Sequence, residues 1–177
     1  MKKHGKLKNL IQNNVMERFD CYPYFENIHA CLKDLESFKF CRVSDKNTLE
    51  ELISNSRTSN AFFCVDDTED GQIMPAAGGY VERRVYFIWI LKKYHSKGPD
   101  GMISQNETMN TCRGIYRDIV SRLITDRDKL QSGLTYMSDR FPFWEIPLML
   151  FPETAGLYFS ITVDTPLSLC VNPNKWK

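Results

Sequence analysis

Residues 80–94 read YVERRVYFIWILKKY. Glu82, Arg83 and Arg84 lead in, Val85 to Leu91 is unbroken apolar sequence, and Lys92 and Lys93 lead out. As a strand this run sends Val85, Phe87, Trp89 and Leu91 to one face and Tyr86, Ile88 and Ile90 to the other. Apolar residues on both faces place it inside a sheet, where each face needs cover. The run is too short to cross a bilayer as a helix, and charges close both of its ends.

The chain has 177 residues, enough to bury about two-thirds of its unfolded surface in one core. Apolar residues make up 42% and charged residues 25%, as in ordinary globular domains. The formal charge of +1 provides no long-range field for nucleic acid or an anionic membrane. Six cysteines (Cys21, Cys31, Cys41, Cys64, Cys112, Cys170) are spaced by 10, 10, 23, 48 and 58 residues, with no CxxC pair of the kind zinc sites use. The basic run Met1–Lys8 is not followed by an apolar one, so no secretory signal is expected, and the cysteines are expected as free thiols in a reducing compartment.

Taken in order, residues 6–19 predict an amphipathic helix through Leu7, Leu10, Ile11, Val15 and Phe19, with Cys21 to Pro23 breaking it. A second helix is expected over 24–36, a strand over 38–43, a helix over about 47–55 capped by Ser44 or Asp45, and a strand over 61–65. Residues 66–79, DDTEDGQIMPAAGG, read as a loop, as does the segment around Gly98, Pro99 and Gly101. The longest helix, about 103–130, is expected to start at Ser104 with Glu107 three residues on. Its apolar stripe is Ile115, Ile119, Leu123 and Ile124, and Asp118, Arg122, Asp126 and Arg127 fall on a solvated face. Leu134–Met137 and Phe143–Phe151 follow as strands, the latter an edge strand or one with a bulge because Pro142 and Pro147 interrupt it. Leu157–Asp164 alternates cleanly. The resulting fold class is α+β, a mostly antiparallel sheet with a long central strand, one long helix packed on it, and short N-terminal helices. Residues 1–19 are assigned to a helical arm or docking helix and 20–177 to a single domain.

No catalytic, cofactor-binding or metal-binding residue is singled out. His29 and Cys31, two positions apart on a helix, point about 200° apart and do not form a thiol–imidazole pair. Fitting Asp66, Thr68, Asp70 and Gly71 to a calcium loop places Ala77 where a bidentate glutamate is required. The glycines at 71, 78 and 79 form no phosphate loop. Glu145 and Glu153, with Asp164, are carboxylates that could supply a pair for acid–base work, but carboxylates near strand ends are common and no spacing singles these out. Arg113, Arg117, Arg122 and Arg127 are interleaved with acids, which favours a salt-bridged surface over a nucleic-acid stripe. Large aromatics gather near strands and turns, among them Tyr86, Trp89, Phe143, Trp144, Tyr158 and Phe159. Either helices cover both faces of the sheet, or a partner subunit covers one of them.

The stretches VSDKNTLEELI (43–53), FFCVDD (62–67), RRVYFIWILKKY (83–94), TCRGIYRDIVSRL (111–123) and GLYFSITVDTPLSLC (156–170) give an order of elements that resembles bacteriophage tail terminator and tail-completion proteins. They also look like phage or prophage structural proteins of gut Bacteroides-type bacteria. The resemblance implies a non-enzymatic subunit at the head–tail junction that forms a ring, usually hexameric, capping the tail tube. Its partners would be copies of itself, the tube protein and the head–tail connector, with no cofactor, membrane or specific nucleic acid. It would assemble in the host cytoplasm and reside in the virion neck or tail. The alternatives are a monomeric or dimeric adaptor without catalysis, or a small hydrolase.

Overall fold

Strand β4, Gly79–Lys93, is the centre of the sheet. The computed structural model describes residues 18–44, 46–56, 58–66, 70–94, 100–146, 151 and 153–176. Within these, the fold is α+β. Around β4 stand β1 (Lys39–Val43), β2 (Ala61–Asp66), β3 (Asp70–Ala76), β5 (Phe143–Glu145) and β6 (Thr154–Leu167). Helices α1 (Cys21–Cys31), α2 (Lys46–Asn55) and α3 (Gly101–Asp128) complete it.

The strand order is β1-β2-β4-β6-β5, with β3 on β4 beside the end of β2. Four of the five pairings are antiparallel, and β1 with β2 is parallel. The parallel pair is joined through α2, the one βα unit the sequence offers. β4 and β6 pair continuously from Tyr80↔Leu167 to Lys93↔Thr154, and this ladder is the backbone of the domain. β2 holds the C-terminal half of β4 and β3 the N-terminal half. Gly156 faces Leu91 across that ladder, and a Cβ there would lie 2.1 Å from the Ile90 carbonyl oxygen. Only glycine lets the two strands meet at that point.

One face of the sheet is covered where β2, β4 and β6 pair. Tyr86, Ile88 and Ile90 of β4 and Leu157, Phe159 and Ile161 of β6 pack beneath Phe25 of α1 and Cys112, Ile115, Ile119 and Leu123 of α3. Each of these side chains is at most 1% exposed, and each contributes roughly 1.5–3 kcal/mol of burial. The opposite face is covered at one end only. There Leu49 and Ile53 of α2, together with Ile146 and Phe151, close over Phe62, Cys64 and Leu91.

Several boundaries differ from the sequence reading. Cys21–Pro23 opens α1 instead of ending a preceding helix, because a proline in the first turn lacks only an N–H that has no helical acceptor. The expected helix over 6–19 lies outside the described residues except at its end, where Arg18 and Phe19 are not helical. Phe19 is buried against Tyr24 and Tyr86. The loop expected over 66–79 contains β3, whose Pro75 is tolerated on an edge strand, and the hairpin turns through Gly78 at φ 89°. α3 starts at Gly101, so Ser104 lies inside the helix, and the N-cap Asp100 makes no side-chain cap bond. Leu134–Tyr136 is a 3-10 turn, with Met137 alone bridging to Val163 of β6.

Candidate functional site

The half-covered face of the sheet carries a row of side chains fixed by strand register. Cys41 of β1 lies beside Cys64 of β2, Cys64 beside Trp89 of β4, Trp89 beside Tyr158 of β6, and Tyr158 beside Trp144 of β5. Alternation brings all five to one face. The aromatic members stack. The Trp89 and Tyr158 rings lie 4.4 Å apart at 26°, and Trp144 and Tyr158 lie 5.0 Å apart at 20°. Phe87 adds a tilted contact to Tyr158 at 6.4 Å.

Cover runs out along this face. Leu91 is fully buried under α2, Trp89, Phe87 and Val85 are half-buried, and Trp144 at the edge is 43% exposed. Phe143, on the other side of the β5 edge, is 47% exposed. The apolar strip ends at Arg83, whose Nε and one terminal nitrogen donate to the two Asp164 carboxylate oxygens at 2.7 Å each. The Arg83 guanidinium holds the Asp164 carboxyl below the usual carboxylate range. Such a surface, a stacked aromatic patch with a polar rim, has the composition of the buried centre of a protein–protein contact.

A second feature is a polar cleft of about 620 Å³ between the start of α1 and the end of α3. Its floor is Asp126, 3% exposed, which accepts hydrogen bonds from the Tyr24 hydroxyl at 3.1 Å and from Arg122 Nε at 2.7 Å. Burial, reinforced by the Asp126 carboxylate, raises the Tyr24 hydroxyl well above its ordinary value and keeps it a donor. Through the Tyr24 hydroxyl the Asp126 carboxylate ties the start of α1 to the end of α3.

The other groups weighed from the sequence fall apart in space. His29 Nε2 lies 2.7 Å from the Phe38 carbonyl oxygen, and its ring stacks on Phe40 and Phe63. Cys31 is exposed and donates to Asn27. Glu145 is bound to Arg113 at 2.7 Å. Its partner across the ladder is Leu157, seven residues along β6 from Asp164, or roughly 24 Å, so these two carboxylates do not converge. The helical arginines are largely salt-bridged, Arg113 to Glu145, Arg122 to Asp126, and Arg127 to Asp128 and Asp139. The acidic stretch 67–69 and His95 lie outside the described residues. Among the described residues, no group of three potential metal ligands comes together, and no helix is long and apolar enough to cross a membrane.

Sequence reasoning missed Asp126, which the helical period places opposite the apolar stripe and the docking of α1 buries. It also missed the juxtaposition of Cys41 and Cys64, since pairing between strands cannot be read from either strand alone. Compared with known proteins, the chain matches no family model and no curated protein.

Proposed function

We propose that the chain is a non-enzymatic structural subunit of a bacteriophage head–tail junction, of the tail terminator kind, which assembles with copies of itself. The observation that carries this reading is the half-covered Phe87–Trp89–Tyr158–Trp144 patch, opposite a face that α1 and α3 cover. An aromatic surface stacked into a rigid ladder before any partner arrives loses little side-chain entropy on association. The element order adds to it: short helix and strand, βα unit, long strand, long helix, closing antiparallel strands. In this reading the patch faces a neighbouring subunit, and the rim of charge at Arg83 and Asp164 sets the register between copies. The tube protein and the connector contact the assembled ring.

Native mass and negative-stain imaging of the purified chain test this directly. A closed ring, or a defined oligomer that closes into one on added tail tube, is the expected result. A strict monomer at high concentration that also ignores tail tubes overturns it.

A further inference from the structure

Two of the six cysteines stand side by side. Cys41 and Cys64 are register partners on the parallel pair β1–β2, and both leave the sheet toward the half-covered face. Neighbouring strands lie about 4.7–4.9 Å apart, inside the ~4.4–6.8 Å window of Cα separations that a disulfide spans. Cys64 is fully buried, while Cys41 is 7% exposed on a strand at the edge of the sheet. A small oxidant therefore reaches Cys41 first.

We propose that Cys41 and Cys64 form a reversible, peroxide-responsive thiol pair, with Cys41 the attacking sulfur and Cys64 the resolving one. In the first step the Cys41 thiolate attacks one oxygen of a hydroperoxide. The O–O bond breaks, hydroxide leaves and takes a proton to become water, and Cys41 becomes a sulfenic acid. In the second step the Cys64 sulfur attacks Cys41 Sγ, the S–O bond breaks, and a second water leaves. Two thiols and one hydrogen peroxide yield one disulfide and two waters, with sulfur oxidised by two electrons and peroxide reduced by two.

The surroundings divide the labour in the same way. The adjoining Cys64 thiol, helped by the charge of Lys39, brings the Cys41 thiol down to about 7 against the opposing effect of burial, and Cys41 Sγ itself lies 3.7 Å from the Lys39 carbonyl oxygen. The proximity of Cys41 and burial push Cys64 well up, so it stays a thiol until Cys41 has reacted; conversion of Cys41 to a neutral sulfenic acid then removes the neighbouring charge that held it up. The remaining buried thiols are poor nucleophiles, since burial raises Cys112 to about 12 and raises Cys21 as well. In-register parallel strands hold the two Cβ atoms wider than the ~3.8 Å a relaxed disulfide prefers, so the closed bond is strained and readily reduced. This inference does not depend on the assembly reading.

The test uses the full chain carrying C31S and C170S, which removes the exposed cysteines. It is treated with one equivalent of hydrogen peroxide near pH 7, quenched with N-ethylmaleimide and digested with trypsin. The expected product joins peptide 40–42 (FCR) to peptide 58–83, lighter by two hydrogens than the reduced pair and separated again by dithiothreitol. Adding C64A abolishes the link, leaves a sulfenic acid on Cys41 that dimedone traps, and slows iodoacetamide alkylation of Cys41 about 5–10-fold near pH 7. Recovery of Cys41 and Cys64 as thiols while Cys21 or Cys112 oxidises overturns the proposal. So does a linked pair in which Cys41 alkylates at the same rate with and without Cys64.

Discussion

Asp126 is buried with two donors on it, Tyr24 from α1 and Arg122 from its own helix. Truncating it leaves the part-buried Tyr24 hydroxyl without its acceptor, while the Arg122 side chain, 56% exposed, turns to solvent, so D126A is expected to lower stability by about 1–2 kcal/mol. Y24F, which removes one donor and keeps the ring, is expected to cost about 1 kcal/mol. Urea denaturation midpoints measure both, and a D126A midpoint equal to wild type would show that the cleft is no tie. The Arg83–Asp164 pair gives a pH signature. Asp164 has a folded-state value below its unfolded one, so its contribution is complete above the unfolded carboxylate range. It is lost as pH falls from that range through the lower folded value. D164N is expected to flatten this part of the stability–pH curve and leave the remainder unchanged, as followed by thermal melts across acid pH.

The end of α3 follows the helix-stop pattern usual for glycine, with a leucine in the key place. Leu130 has φ 56°, its N–H donates to the Arg127 carbonyl, and the Gln131 N–H donates to the Asp126 carbonyl. A left-handed leucine is strained by about 1 kcal/mol, and Leu130 is 70% exposed and buries little. L130G is therefore expected to stabilise the chain by about 0.5–1 kcal/mol, read as a raised melting temperature; a fall would place unseen packing at this side chain. At the β4–β6 ladder the opposite holds. G156A drives a methyl into the Ile90 carbonyl and is expected to cost at least ~2–3 kcal/mol or to separate the strands, as hydrogen exchange across β4 and β6 would report.

The whole molecule is asymmetric in its covering. α1 and α3 cover one face where β2, β4 and β6 pair, and α2 closes only one end of the other. This leaves the Trp89–Tyr158–Trp144 stack half-covered, and in the proposed assembly a neighbouring copy completes its cover. W144E places a charge on the patch at a residue already 43% exposed, so the monomer is expected to lose no more than ~1 kcal/mol. Assembly is expected to weaken at least tenfold. Native mass spectrometry over a dilution series compares the variant with wild type, and equal oligomer stability in both would remove the patch from the interface.

The amino-acid sequence by itself determined the elements whose periodicity is strong. The seven apolar residues of β4, the Leu157–Val163 alternation of β6 and the Ile115–Ile119–Leu123 stripe of α3 each state their own conformation and which side they bury. β3 was hidden because an edge strand with both faces exposed needs no apolar alternation. The left-handed stop at Leu130 was hidden because leucine carries no signal for it. Tertiary structure alone decided how much of the second face α2 could cover. It alone brought Tyr24 against Asp126 and set Cys41 beside Cys64, because those contacts depend on docking and strand register between segments far apart in the chain.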